Sequence, residues 1–186
     1  MPWLNEFALR CRQCIDDGGG AVEIHALVKK VLAVHAADFV QTEVDRIVYR
    51  SADLFIVSLA QPPYGNTPVH DHGFWAVIGI ADGCEENAFF ERSERGRGLI
   101  DKAQRVQVNS GEAIILAPDA IHKIRNPLGT KSLGLHVYGG DLTAARRHMW
   151  NPHTGEELPL EQSQFEAWCE QLTAAAASPE RQTSNW

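Results

Sequence analysis

The chain has little positive charge to offer a polyanion. Lysine and arginine number 17 against 24 aspartates and glutamates, the net charge is −7, and no basic block of five or more residues occurs. Binding to nucleic acid is excluded as an expectation, because that affinity rests on clustered cations meeting phosphates. No apolar run approaches the ~20 residues a membrane helix needs, so no membrane partner is expected. The opening MPWLNEFALR lacks the basic segment and apolar core of a secretory leader. Four cysteines (11, 14, 84 and 169) in 186 residues make no disulfide framework, and the expected location is the cytoplasm. Also missing are a glycine-rich phosphate loop, a GxSxG elbow and a DFG-type element. His122 and Asp119 suit part of a hydrolytic set, but no serine in nucleophile context accompanies them.

What is present suits an ordinary soluble domain. Hydrophobic residues make up 44% and charged residues 22%, enough for a core without disulfide or metal staples. Three zones follow one another. Residues 1–44 read as a helical extension: LNEFALRCRQCIDD repeats its apolar residues every three or four positions from Asn5, a candidate N-cap, to the stop DDGGG. A second amphipathic stretch runs through AVEIHALVKKVLAVHAADF. The CRQC pair (11–14) falls at i, i+3 on the first helix and faces its core. Residues 45–141 change character, with short runs such as LFIVSLAQ, FWAVIGIA, RVQVNSG, AIILAP and SLGLHVYGG, punctuated by PPYGNTP, ADG, NSG, PDA and NPLG. Strands at this spacing without long helices between them predict a sandwich or barrel. ERSERGRG (91–98) mixes both signs of charge and reads as a hairpin tip. Residues 142–186 give a loop, a helix near 161–176 and a frayed polar tail. The whole is expected to form a single domain.

Eight histidines are present. His25 and His35 lie in the helical zone, and His148 and His153 in the late loop, where packing or surface roles suffice. The other four lie in strand segments. In PVHDHGFW (68–75) His70 and His72 are two apart, so an extended strand turns both to one face. His122 follows in the pattern G-x6-P-x3-H-x3-N (Gly111, Pro118, His122, Asn126), and His136 stands two before Tyr138 in LGLHVYGG. Trp75, Trp150 and Trp168 read as packing residues.

These segments resemble the two motifs of cupins, PVHDH…ADG the first and Gly111–Asn126 the second. The resemblance implies a mainly β fold: a double-stranded β-helix (jelly-roll) barrel with N-terminal helices and a C-terminal helix. It also implies that His70, His72 and His122 converge inside it on a metal. The glutamate common after the second histidine is absent, Ala76 and Val77 standing there, so the set is three neutral imidazoles. Three ligands with open positions suit catalysis rather than a closed structural site, and imidazole accepts Fe, Zn, Cu and Ni alike.

A three-histidine cupin with a late H-x-Y looks like the cysteine dioxygenase family, including 3-mercaptopropionate-type enzymes. The chain is most similar to the bacterial cysteine dioxygenase-like cupins called predicted metal-dependent enzymes. The matching residues are TPVHDHGFWAVIGIADG (67–83), PDAIHKIRN (118–126) and LHVYGGD (135–141). The resemblance implies Fe(II), with Ni or Zn as substitutes in purified protein, and a small thiol plus O2 as partners, the product being a sulfinate. His136 and Tyr138 match the family's catalytic histidine and tyrosine, although a core role for both remains the alternative. Arg50, with Tyr49, is the candidate for a substrate carboxylate, with Arg46 as alternative. The chain departs from the pattern at Gly134, where the family has serine, and at Val77, where mammalian members have a crosslinking cysteine. Two further readings stay open: a metal cupin of another class, such as a lyase or isomerase, and a non-catalytic cupin that binds a small ligand. A barrel's exposed edges make a homodimer admissible.

Overall fold

Two helices begin the computed structural model, which describes residues 2–39, 45–93 and 98–178. Helix α1 (Pro2–Asp16) starts before Asn5, with proline in its first turn, where the missing N–H costs nothing. It buries Leu4, Phe7, Ala8 and Cys11 along one stripe. Gly18, at φ +83°, turns the chain out, and its N–H bonds the Ile15 carbonyl at 3.0 Å. Helix α2 (Ala21–Phe39) opens with the Glu23 carboxylate accepting the Gly20 N–H at 2.9 Å, half of a capping box. No helix among the described residues is long and apolar enough to cross a membrane.

Among the described residues nine strands follow before the chain leaves the barrel: β1 (Arg46–Arg50), β2 (Phe55–Gln61), β3 (His70–Asp71), β4 (Ala76–Asp82), β5 (Cys84–Arg92), β6 (Leu99–Asn109), β7 (Ala113–Leu116), β8 (Ile121–Arg125) and β9 (Ser132–Tyr138). A short hairpin, β10 (His148–Trp150) and β11 (Glu157–Pro159), precedes helix α3 (Gln162–Ala177). The strands form two antiparallel sheets, ordered β1-β2-β9-β4-β7 and β11-β10-β3-β8-β5-β6. Strands β2 to β9 give four to each sheet and cross between them, turning back at the β5–β6 hairpin. That is the eight-stranded double-sheet jelly roll, the cupin-type barrel expected from the sequence. Residues 94–97 of the expected hairpin tip and 179–186 of the expected tail lie outside the described residues.

Strand β9 shows why the sheet order holds. All seven of its residues are buried, because it has a covered surface on each side. Leu133, Leu135 and Val137 face outward with Ile56 and Val77 and pack against the buried stripes of both helices. Tyr138, on the other parity, faces inward with Phe55, Val57, Ile78 and Ile80. His136 shares that inward parity and is 2% exposed. His136 and Tyr138 therefore sit on the inner face of a wall whose outer face is held by α1 and α2.

Gly79 on β4 lets α2 approach. A Cβ there would overlap Val28 Cγ1 and lie 2.9 Å from Leu32 Cδ1. Gly79→Ala is therefore expected to lower stability by about 1–3 kcal/mol through overpacking. Urea denaturation checks this: the midpoint should fall with the slope unchanged.

Candidate metal centre

The short strand β3 and strand β8 pair so that His70 and His122 lie directly opposite. His72 follows two residues after His70 and returns to the same side. The rings stand 4.7 Å (His70–His122), 5.0 Å (His72–His122) and 5.1 Å (His70–His72) apart between centroids. One nitrogen from each lies within 4.8 Å of the others, and all three residues are buried.

The partners of these rings decide which nitrogens face one another. His70 donates its Nδ1–H to the Pro68 carbonyl at 3.0 Å, and His122 donates its own to Asn87 Oδ1 at 2.8 Å. Each is thereby left with a lone pair on Nε2. The Nε2 of His122 is buried with no hydrogen-bond partner among the described residues. An orphaned lone pair among imidazoles is costly unless a cation fills the gap. The residues fit a metal ion: three neutral donors, two of them oriented from behind, could hold one.

Neutrality follows from burial. Desolvation lowers His70 to about 4, against a weaker upward pull from its bond to Pro68. Desolvation also takes His72 and His122 well below 6.5, and the neighbouring imidazoles push the same way. His136, deeper in the wall, is lowered to about 3 by burial.

A cavity of about 640 Å³ opens beside the three rings. That size lies in the range of small-ligand sites. His136 and Tyr138 line it, with His136 Nδ1 at 3.2 Å from the tyrosine hydroxyl. Tyr138 also sets its ring edge-on to His72, centroids 5.1 Å apart. Burial, then nearby Glu85, pushes the phenol pKa up, so the hydroxyl keeps its hydrogen at neutral pH. Apolar lining comes from Leu59, Ile78, Ile124 and Leu142. Helix α3 closes one side: Phe165, Cys169 and Thr173, four apart, form a stripe along it. Phe165 meets His70 edge-on at 5.2 Å, and Thr173 Oγ1 accepts the Asn66 N–H at 3.0 Å.

The structure does not bring Arg50 and Tyr49 to this cavity. Strand β1 lies at the sheet edge, and Arg50 reaches outward to Asp141 at 2.9 Å with its side chain 52% exposed. Tyr49 packs into the core beneath the helices, and Arg46 is exposed. The arginine that does line the cavity is Arg147, which precedes β10. It is the only arginine or lysine to do so among the described residues, and its guanidinium forms no hydrogen bond or ion pair among them. Burial lowers its pKa, with Tyr138 and Asp71 opposing. His25 bonds the Ala113 carbonyl and His35 bonds Asp38, in keeping with the roles expected of them. His148 bonds Asp71, which also takes Arg92 at 3.1 Å; this tie fastens β10 beside β3.

Sequence reasoning passed over Arg147, Asn87 and Glu85. The alternation of CEENAFF carried a signal for the last two: Glu85 and Asn87 share a strand face with the aromatic Phe89, which points inward to stack 6.2 Å from His122. Glu85 is 1% exposed, and burial pushes its pKa up to about 7, its bond from Asn87 pulling the other way.

No family model matches the chain. Solved structures of similar shape include a cupin superfamily protein from Desulfitobacterium hafniense (12% identical, 53% of this chain and 77% of that one, TM-score 0.42). The DMSP lyase DddQ from Ruegeria pomeroyi is 17% identical over 63% of this chain and 56% of that one, with a TM-score of 0.46. A Cupin 2 conserved barrel domain protein from Salinispora arenicola is 14% identical over 50% and 72%, at 0.40. Likenesses this distant carry no conclusion about activity.

Two predictions follow from the geometry. His72→Ala should remove most bound metal, read by elemental analysis, while circular dichroism shows the helices intact; stoichiometric metal in that variant would refute the site. The second concerns acid. The four buried imidazoles titrate near 6.5 when unfolded but stay neutral to lower pH when folded, His70 to about 4. From pH 6.5 downward the unfolded chain binds more protons, so stability falls, each such histidine costing about 1.4 kcal/mol per pH unit at the steepest. Glu85 opposes this: raised from 4.5 to about 7, it binds a proton in the folded state between those values and favours folding as pH falls. Four imidazoles outweigh one carboxyl. Metal-free protein is therefore expected to unfold at lower urea at pH 5 than at pH 7.5, and equal midpoints would contradict buried neutral rings.

Proposed function

We propose that this chain is a mononuclear non-haem iron dioxygenase that oxidises a small thiol carrying an anionic group to its sulfinate with O2. The observation that carries the reading is the meeting of three buried neutral imidazoles, the His136–Tyr138 pair and the cation of Arg147, which makes no ion pair among the described residues, around one cavity. His70, His72 and His122 would hold the iron. When bound, that iron supplies open positions for thiolate and O2 and lets both oxygen atoms pass to sulfur.

The remaining tasks fall to side chains. A half-buried guanidinium that makes no ion pair among the described residues favours a ligand bearing a carboxylate, which would anchor the substrate by a charge-assisted bond. Tyr138, protonated and edge-on to His72, places a hydroxyl beside the reacting centre, with its angle held by His136. The apolar wall and α3 limit water around these groups, which strengthens each electrostatic contact.

The test reconstitutes metal-free protein anaerobically with Fe(II) and measures O2 uptake and sulfinate with cysteine, 3-mercaptopropionate and thiols lacking a carboxylate. O2-dependent sulfinate is the expected outcome. Turnover of other substrates with Zn or Ni and no O2 use would replace this reading with a lyase or isomerase, and tight binding without turnover with a ligand-binding role. Arg147→Ala should raise KM for the carboxylated thiol about tenfold or more, with kcat less affected. Arg50→Ala, which removes only a surface pair, should leave KM within twofold, about 0.4 kcal/mol.

A further inference from the structure

Glu85 on β5 ends two chains of contacts that both lead to the cavity. Its Oε1 accepts Asn87 Nδ2–H at 2.9 Å, and Asn87 Oδ1 accepts the Nδ1–H of His122 at 2.8 Å. Its Oε2 accepts Gln61 Nε2–H at 3.0 Å and lies 3.6 Å from His136 Nε2, whose other nitrogen faces the Tyr138 hydroxyl. No arginine or lysine pairs with this carboxyl among the described residues. An acid in a barrel wall without a counter-ion is costly, and an apolar side chain would fill the place more stably.

Gly134 is the second observation. A Cβ there would lie 2.8 Å from His136 Nε2 and 3.1 Å from its Cδ2. The imidazole occupies the room a side chain at 134 would take, and so turns Nε2 toward β5 and Glu85. The site lacks the serine of the resembled family at this position, where a side chain would crowd the ring.

We propose that Glu85 is the positioning residue of this site, fixing the tautomers of two imidazoles at once. Facing His136 Nε2 across 3.6 Å, it favours the hydrogen on that nitrogen, which leaves Nδ1 to accept the Tyr138 hydroxyl hydrogen and turns the phenol oxygen's remaining lone pair away from His136. Through Asn87 it holds the Nδ1–H of His122, which leaves the Nε2 lone pair among the other two histidines. The bearing on chemistry rests on the reading of these rings as an iron centre; the tautomers themselves do not.

Glu85→Gln makes the inference testable at pH 8.5, above the value of about 7 to which burial raises the acid, because an amide offers one acceptor atom where the carboxylate offers two. If the amide oxygen stays on Asn87, its NH2 faces His136, which must move its hydrogen to Nδ1. If the NH2 faces Asn87 instead, that amide flips and His122 must move its hydrogen to Nε2. Long-range 1H–15N correlation spectra report which ring nitrogen carries hydrogen. In wild-type protein, metal-free or zinc-loaded, His136 is expected to carry it on Nε2, and His122 on Nδ1. In zinc-loaded Glu85→Gln the exchange is expected at His136, with zinc stoichiometry unchanged. His136 protonated on Nδ1 in the wild type overturns the proposal, as does a variant in which neither ring changes. The wild-type spectrum decides alone should the variant not fold. Expected tautomers without thiol oxidation would remove the dioxygenase reading and leave the role of Glu85 standing.

Discussion

The site depends on keeping several imidazoles uncharged and close together away from water. Protonated rings at these separations would repel one another in a medium that screens poorly. Burial settles the matter by making the charged form costlier than the neutral one. Three features of the inner wall serve the resulting need for oriented lone pairs: the Pro68 carbonyl behind His70, the Asn87 amide behind His122, and the pairing of β3 with β8 that sets those two residues opposite each other.

That need explains the polarity of a barrel that could have been filled with aliphatic side chains. Asn87 and Glu85 are fully buried yet bonded, in a chain that begins at Gln61 and ends at His122. Such networks are tolerable only when nearly every member is satisfied. Two acceptors of this chain stay orphaned among the described residues, Gln61 Oε1 and His122 Nε2, and the second lies among the other two imidazoles, where a cation would complete the set.

Much of this was legible from local pattern. The double burial of β9 is written in SLGLHVY as apolar residues on one parity and Gly134, His136 and Tyr138 on the other. The His70–His72 spacing fixed a shared face, and helical spacing fixed the stripes of α1 and α2. What stayed hidden depends on pairing across long separations. The alternation of CEENAFF puts Glu85 and Asn87 on one face, but which rings they meet is decided only when β8 and β9 come up beside β5, and Arg147 reads as loop until β10 joins β3. Arg50 looked well placed by its distance along the chain from the first motif. Its strand runs at the sheet edge, where Asp141 takes its charge.

The cavity is walled by two kinds of structure. Strand β9 is gripped from both faces, so a change on its inner parity must be absorbed by a sheet whose back is already packed with helix. Helix α3 and the segment bearing Arg147 carry no such double duty, and Phe165, Cys169 and Thr173 meet the cavity from one side only. Tolerance to substitution is accordingly lopsided. The side of the chamber built on β9, which carries His136 and Tyr138, is tightly specified, while the side built on α3 has more room for replacement.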